Sequence, residues 1–144
     1  MIHLQLFNQD HLQEFCDSVI INRGHLSELG WIEYGNQIVV KSVFTDIIDS
    51  PEYIFYVIRD DDKFVGMIET KDSEDSVKLG YWIDKDHRNK GIATQAVKML
   101  TGLVSKPVIA DTTLTNPASI RVLEKAGFVK YREDKVAIWY RFAT

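Results

Sequence analysis

One segment constrains the fold more than any other. "VKLGYWIDKDHRNKGIATQAVKML" runs from Val77 to Leu100. It reads as a β-branched and aromatic strand, a turn crowded with donors, a single glycine, and then a helix. A strand that enters a helix through glycine leaves the first-turn N–H groups without partners. Those donors, with the positive end of the helix dipole, favour an anion. Gly91 has no Cβ to hold an anion away from the main chain. Arg88 and Lys90 add charge, and Thr94 adds a hydroxyl. The turn is therefore a candidate phosphate site; the competing reading is a solvated basic turn. A Walker loop would need a second glycine and Gly-Lys-Ser/Thr, and a dinucleotide loop three spaced glycines. Neither pattern is present.

The rest of the chain surrounds this unit with alternating elements. Asp10 and Gln13 read as a capping pair for a helix whose Leu12, Phe15, Val19 and Ile20 repeat at helical spacing. "HLSELGWIEYG" and "QIVVKSVFTDIID" read as helical in part, ending before Pro51. "YIFYVIR" and "KFVGMIET" are strands around Asp60, Asp61 and Asp62, which read as solvated turn formers rather than a cation site. After Gly91, a helix places Ile92, Ala96, Met99, Leu100 and Leu103 on one face. "KPVIADTTL" is a short strand. In "NPASIRVLEKAGF", Asn116 is the N-cap and Pro117 the first helical residue; Ile120 and Leu123 face inward, and Gly127 ends the helix. "FVKYRE" and "KVAIWYRF" close the chain as a strand pair. The order is two helices, several strands, helix, strand, helix, two strands. It predicts a mixed α/β (α+β) fold around a largely antiparallel sheet, as one domain over residues 1–144.

Composition narrows the function classes. The 144 residues are 45% hydrophobic, enough for a core, and the net charge of −4 argues against a nucleic-acid partner. The single cysteine, Cys16, lies among apolar neighbours and reads as a core residue in a reducing compartment. His3, His11, His25 and His87 fall in no metal-binding pattern, so no metal is expected. "MIHLQLFNQDH" lacks a basic n-region, and no apolar run has membrane-spanning length. A soluble cytoplasmic protein is expected, without membrane attachment, as monomer or homodimer.

"RNKGIA" has the form R-x-x-G-x-A, which resembles the pyrophosphate-binding loop of the GNAT superfamily of acyltransferases. The whole strand–loop–helix unit is similar to that of the RimJ/RimL branch, which includes N-terminal acetyltransferases of ribosomal proteins. "NPASIRVLEKAGF" resembles the branch's second motif, N-x-x-S-x-x-x-L-E-K-x-G-F. "NRGHL" (residues 22–26) resembles its Asn-Arg-x-x-Leu segment. The resemblance runs from about residue 4 to the C-terminus. It implies a GNAT-type sheet splayed between the strand near 77–84 and the strand near 107–113, flanked by helices. It also implies acetyl-CoA as co-substrate and an N-acetyltransferase that passes the acetyl group directly to a primary amine, a protein N-terminus or a small amine. The alternative is a non-catalytic acyl-CoA-binding module. A nucleotide-binding domain unrelated to coenzyme A is a third reading, poorly supported by the glycine pattern.

The resemblance also assigns site residues. Tyr81, Trp82 and Ile83 would lie along the pantetheine arm. Arg88, Asn89, Lys90, Gly91, Ile92, Ala93 and Thr94 would form the pyrophosphate loop. Many relatives carry a tyrosine at the position of Leu123 to protonate the leaving thiolate. Its absence here is shared by the RimJ/RimL branch, in which Ser119 is the implied acid and Asn116 a coenzyme contact. Helix capping is the competing reading for both. Glu133, Glu69 and Asp111 are candidate bases, each with the competing reading of a surface charge. Trp31 and Tyr34 are candidate acceptor contacts, with core packing as the competing reading.

Overall fold

The computed structural model describes residues 1–22 and 50–142. The chain opens as strand β1 (Ile2–Leu6), a strand not anticipated from the sequence. A 3₁₀ turn at Gln9–His11 leads into helix α1 (Leu12–Ile21). The cap of this unit is Asn8 rather than Asp10: Asn8 Oδ1 accepts from Asp10 N at 2.8 Å, and His11 Nδ1 accepts from Asn8 N at 3.1 Å. Gln13 instead donates forward to Asp17 at 2.9 Å. Trp31, Tyr34, the second helical stretch and all of "NRGHL" beyond Asn22 lie outside the described residues.

Strands β2 (Tyr53–Asp60), β3 (Lys63–Asp72) and β4 (Val77–Ile83) form an antiparallel meander, because β-branched and aromatic runs are interrupted by the turn formers at 61–62 and 73–76. After the glycine turn come α2 (Ile92–Thr101), β5 (Val108–Thr113), α3 (Pro117–Lys125), β6 (Phe128–Glu133) and β7 (Ala137–Phe142). The seven strands make one sheet in the order β1-β2-β3-β4-β5-β7-β6. All neighbours are antiparallel except β4 and β5, as expected of a mostly antiparallel GNAT-type sheet.

The sheet separates two apolar layers. On one face α2 and α3 cover Val65, Ile68, Leu79, Ala110 and Tyr140. On the other, α1 supplies Phe15, Cys16 and Val19 against Phe55, Val57, Met67 and Trp82. Cys16 is buried, as its setting suggested. One expected face needs correction. Helix α2 buries Ile92, Ala96, Val97 and Leu100, whereas Met99 and Leu103 are 39% and 64% exposed. The helix presents its 92–96–100 ridge with Val97 beside it, which turns Met99 toward water, and Leu103 lies beyond the last helical residue.

Arg59 on β2 is 8% exposed and is held by Glu14 through two 2.8 Å bonds and by Gln5 at 2.9 Å. Hydrogen bonds from the Arg59 guanidinium hold the Glu14 carboxyl below its ordinary range. A carboxyl depressed in the folded state contributes stability above its unfolded pKa and loses it as pH falls through the folded value. Glu14→Gln is therefore expected to flatten the acid limb of a Tm-versus-pH curve. Equal slopes for both proteins would contradict this.

Candidate active site

Strands β4 and β5 are paired only at Val77↔Val108 and Lys78↔Ile109, after which they diverge. The resulting gap is the centre of the site. It opens on the α2/α3 face into a cavity of about 330 Å³. The lining includes Tyr81, Trp82, Ile83, Arg88, Asn89, Gly91, Ile92, Ala93, Thr94, Asn116 and Ser119. Of the residues expected along the coenzyme, only Lys90 is missing; it is exposed. His87, Ala118, Arg121, Val122 and Lys125 also line the cavity and were not anticipated. The last four follow helical spacing along one face of α3, a periodicity legible in "NPASIRVLEK".

The start of α2, on the cavity lining, has the features that suit an anion. Gly91 caps α2 in the left-handed region, with φ 76°, and no side chain caps the helix. The first intrahelical acceptor is filled by Gln95 N at 3.1 Å, leaving the amides ahead of it to face outward. A Cβ built on Gly91 meets nothing within 4 Å, so the space over the main chain is open. No acidic residue stands in the first turn. Arg88, Arg121 and Lys125 bring three cations to the lining, and no carboxylate joins them. Arg88 Nε is buried without a hydrogen-bond partner among the described residues. These features fit a diphosphate, which would supply the missing acceptor and meet the open amides.

Two hydroxyls meet where α3 approaches the gap: Tyr81 Oη and Ser119 Oγ are 2.8 Å apart. Burial pushes the Tyr81 phenol up to about 12, against a smaller lowering by Ser119. It is therefore protonated throughout the neutral range. One hydrogen fills the bond between the two oxygens, and the second is left to donate elsewhere. Asn116 caps α3 by accepting from Ser119 N at 3.2 Å. Capping thus uses the Asn116 oxygen and the Ser119 main chain. It does not use the Ser119 hydroxyl.

The three candidate bases are dispersed. Glu69 on β3 lies opposite Gly80, its Oε1 only 2.8 Å from where a Gly80 Cβ would stand. Strand alternation puts Glu69 and Gly80 on the α1 face, opposite Tyr81. Asp111 follows the last β4–β5 pair and lies on that same face, with Lys78 Nζ at 3.0 Å. Lys78 Nζ also lies 5.3 Å from the Trp139 ring centroid. Both carboxylates therefore lie on the face opposite the cavity, Asp111 beside the gap and paired with Lys78, Glu69 one strand away against Gly80. Glu133 is elsewhere, exposed at the end of edge strand β6 and bonded to Lys130 at 3.2 Å. It does not line the cavity. Among the described residues no group of three or more His, Cys, Asp or Glu could hold a metal ion, and no helix is long and apolar enough to cross a membrane.

Comparison with known proteins agrees with this geometry. Residues 3–129 match the family model described as an acetyltransferase (GNAT) domain. The chain is 34% identical over 89 residues to the probable N-acetyltransferase YjcK of Bacillus subtilis (strain 168), a match covering 55% of this chain and 49% of that protein. The chain thus spans about half the length of that curated relative. The fold superposes on RimL, a ribosomal L7/L12 alpha-N-protein acetyltransferase in complex with coenzyme A. The TM-score is 0.85 at 14% identity, covering 97% of this chain and 92% of that one. It also superposes on the spermidine N-acetyltransferase of Vibrio cholerae in complex with CoA and spermine, with a TM-score of 0.76 at 16% identity over 97% and 92% of the two chains. With a family model spanning most of its length and a splayed sheet of this form, the chain belongs to the GNAT acetyltransferases.

Proposed function

We propose that this protein is an N-acetyltransferase of RimJ/RimL type that transfers acetyl from acetyl-CoA directly to a primary amine, at a protein N-terminus or on a small molecule. One observation carries the reading. A cation-lined, carboxylate-free cavity opens on one face of the β4–β5 gap, while Asp111, paired with Lys78, and Glu69 on the neighbouring β3 lie on the other face. Coenzyme and acceptor can then approach from opposite faces and meet in the gap, with no acyl-enzyme. The only cysteine is buried on the inner face of α1, in the layer on the far side of the sheet from the cavity.

Acetyl-CoA, when bound, supplies the activated thioester. The amides at the start of α2, with Arg88, hold the diphosphate. Arg121 and Lys125 add positive charge at the cavity mouth. The main chain of β4 beyond Lys78, released from pairing with β5, can offer an N–H to the thioester carbonyl; such a donor contributes about 3 kcal/mol in oxyanion holes. The spare hydrogen of the Tyr81–Ser119 pair is donated to the departing sulfur. The amide NH₂ of Asn116, unused in its cap, is available to the pantetheine arm. On the acceptor face, Asp111 and Glu69 attract the ammonium form of the amine and accept its proton, directly or through water. Glu133, at the sheet edge, has no such position.

Thermal denaturation with acetyl-CoA, ATP or NADH is expected to show stabilisation by acetyl-CoA alone. Thiol release from acetyl-CoA over a panel of N-terminal peptides, polyamines and aminoglycosides then identifies the acceptor. Stabilisation by ATP alone would overturn the coenzyme reading. Stabilisation by acetyl-CoA without thiol release on any amine would indicate a binding module.

A further inference from the structure

Asn22 closes α1 and is only 1% exposed, yet it bonds to a turn on the far side of the sequence. Its Nδ2 donates to Ser18 O and to Asp84 Oδ1, each at 2.8 Å, and its Oδ1 accepts from Lys85 N at 2.8 Å. Asp84 accepts in turn from Asp86 N at 3.2 Å and stands 2.9 Å from His87 Nδ1, which must carry the hydrogen, since a carboxylate only accepts. Burial alone would raise the Asp84 carboxyl, but the bonds from Asn22, His87 and Asp86 N hold it below its ordinary range. The Asp84 main chain is anchored to β3 by a 2.8 Å bond to Val65 O.

A buried amide–carboxylate pair costs desolvation, and apolar side chains would fill the space as well. What apolar side chains cannot do is fix the direction of a turn. This turn delivers His87 and Arg88 into the cavity wall, three residues ahead of Gly91 in the case of Arg88. We infer that Asn22 and Asp84 are positioning residues for the coenzyme: they hold the 85–88 turn so that His87 and Arg88 face the cavity. Neither lines the cavity. The inference rests on the coenzyme reading above.

Asn22→Asp sets two carboxylates against each other where a 2.8 Å amide–carboxylate bond now stands. A turn displaced far enough to take Arg88 off the diphosphate loses a charge-assisted hydrogen bond, which lowers coenzyme A affinity about tenfold or more. The paired exchange Asn22→Asp with Asp84→Asn restores one amide facing one carboxylate but not the bond to Ser18 O, so part of the affinity is expected to return. Titration calorimetry with coenzyme A, beside the Tm of each ligand-free variant, separates positioning from folding. Affinity lost in Asn22→Asp and partly regained in the exchange, with the single variant still folded, supports the inference. Unchanged affinity in Asn22→Asp, or no recovery in a folded exchange variant, overturns it. Should Asn22→Asp not fold, Asp84→Asn alone is expected to weaken binding several-fold, and wild-type affinity there overturns the inference. Failure of the wild-type protein to bind coenzyme A would instead overturn the coenzyme reading and this inference with it.

Discussion

Replacing Gly91 by valine is expected to lower coenzyme A affinity about 100-fold or more, equivalent to losing two charge-assisted hydrogen bonds. The space above the Gly91 main chain is open, and a branched side chain would fill the position from which a diphosphate meets the α2 amides. Two effects are superposed in this variant. At φ 76° a β-branched side chain is strained, by about 1–2 kcal/mol. Gly91→Asn separates them, because asparagine tolerates the left-handed region while still placing a Cβ over the amides. It should lose coenzyme binding with little change in Tm. Binding by Gly91→Asn at wild-type affinity would contradict the assignment of this helix start to the diphosphate.

The second large effect concerns the two hydroxyls. Ser119→Ala and Tyr81→Phe should each lower turnover about 10- to 100-fold, the low end of general-acid contributions, because a thiol of pKa about 8.5 needs modest help in leaving. Both should leave the KM for acetyl-CoA nearly unchanged, since the interaction strengthens as charge develops on sulfur. Stability is a fair control here because Asn116, not the Ser119 hydroxyl, caps α3. The pair shares a 2.8 Å bond, so the double variant should cost little more than either single one. Additive losses would show that the hydroxyls act separately. Unchanged turnover in Ser119→Ala would remove it from the chemistry.

Most of the cavity lining was legible in the sequence because it is local. The donor-rich turn, its glycine, the α2 amides and the Asn116 cap all lie within two short segments whose punctuation is written in residue types. The Tyr81–Ser119 bond was not legible, since its partners are 38 positions apart and meet only when α3 packs over β4. Arg121 and Lys125 were missed for a different reason. They read as ordinary polar surface until the cavity gives them a common direction.

Strand β1 went unread although Ile2, Leu4 and Leu6 alternate. It is short, lies at the sheet edge beside β2 alone, and leaves Leu6 61% exposed, so its pattern is half erased. Asp10 and Gln13 have a capping spacing, but the neighbouring pair Asn8 and His11 forms the bonds. The β4–β5 splay was expected from family resemblance alone. Parallel pairing between distant strands, and the point at which it stops, leaves no local periodicity to read. For the same reason the base could not be chosen from three carboxylates. Only the sheet register shows that Glu69 and Asp111 share the face opposite Tyr81, while Glu133 stands at the rim.

The most direct test is a crystal structure with acetyl-CoA bound. The account predicts diphosphate oxygens within hydrogen-bonding distance of the main-chain amides of residues 92–94, with Arg88 beside them and the thioester sulfur near Ser119 Oγ, inside the gap between β4 and β5. A coenzyme bound elsewhere, or one whose diphosphate leaves those amides to solvent, would contradict it.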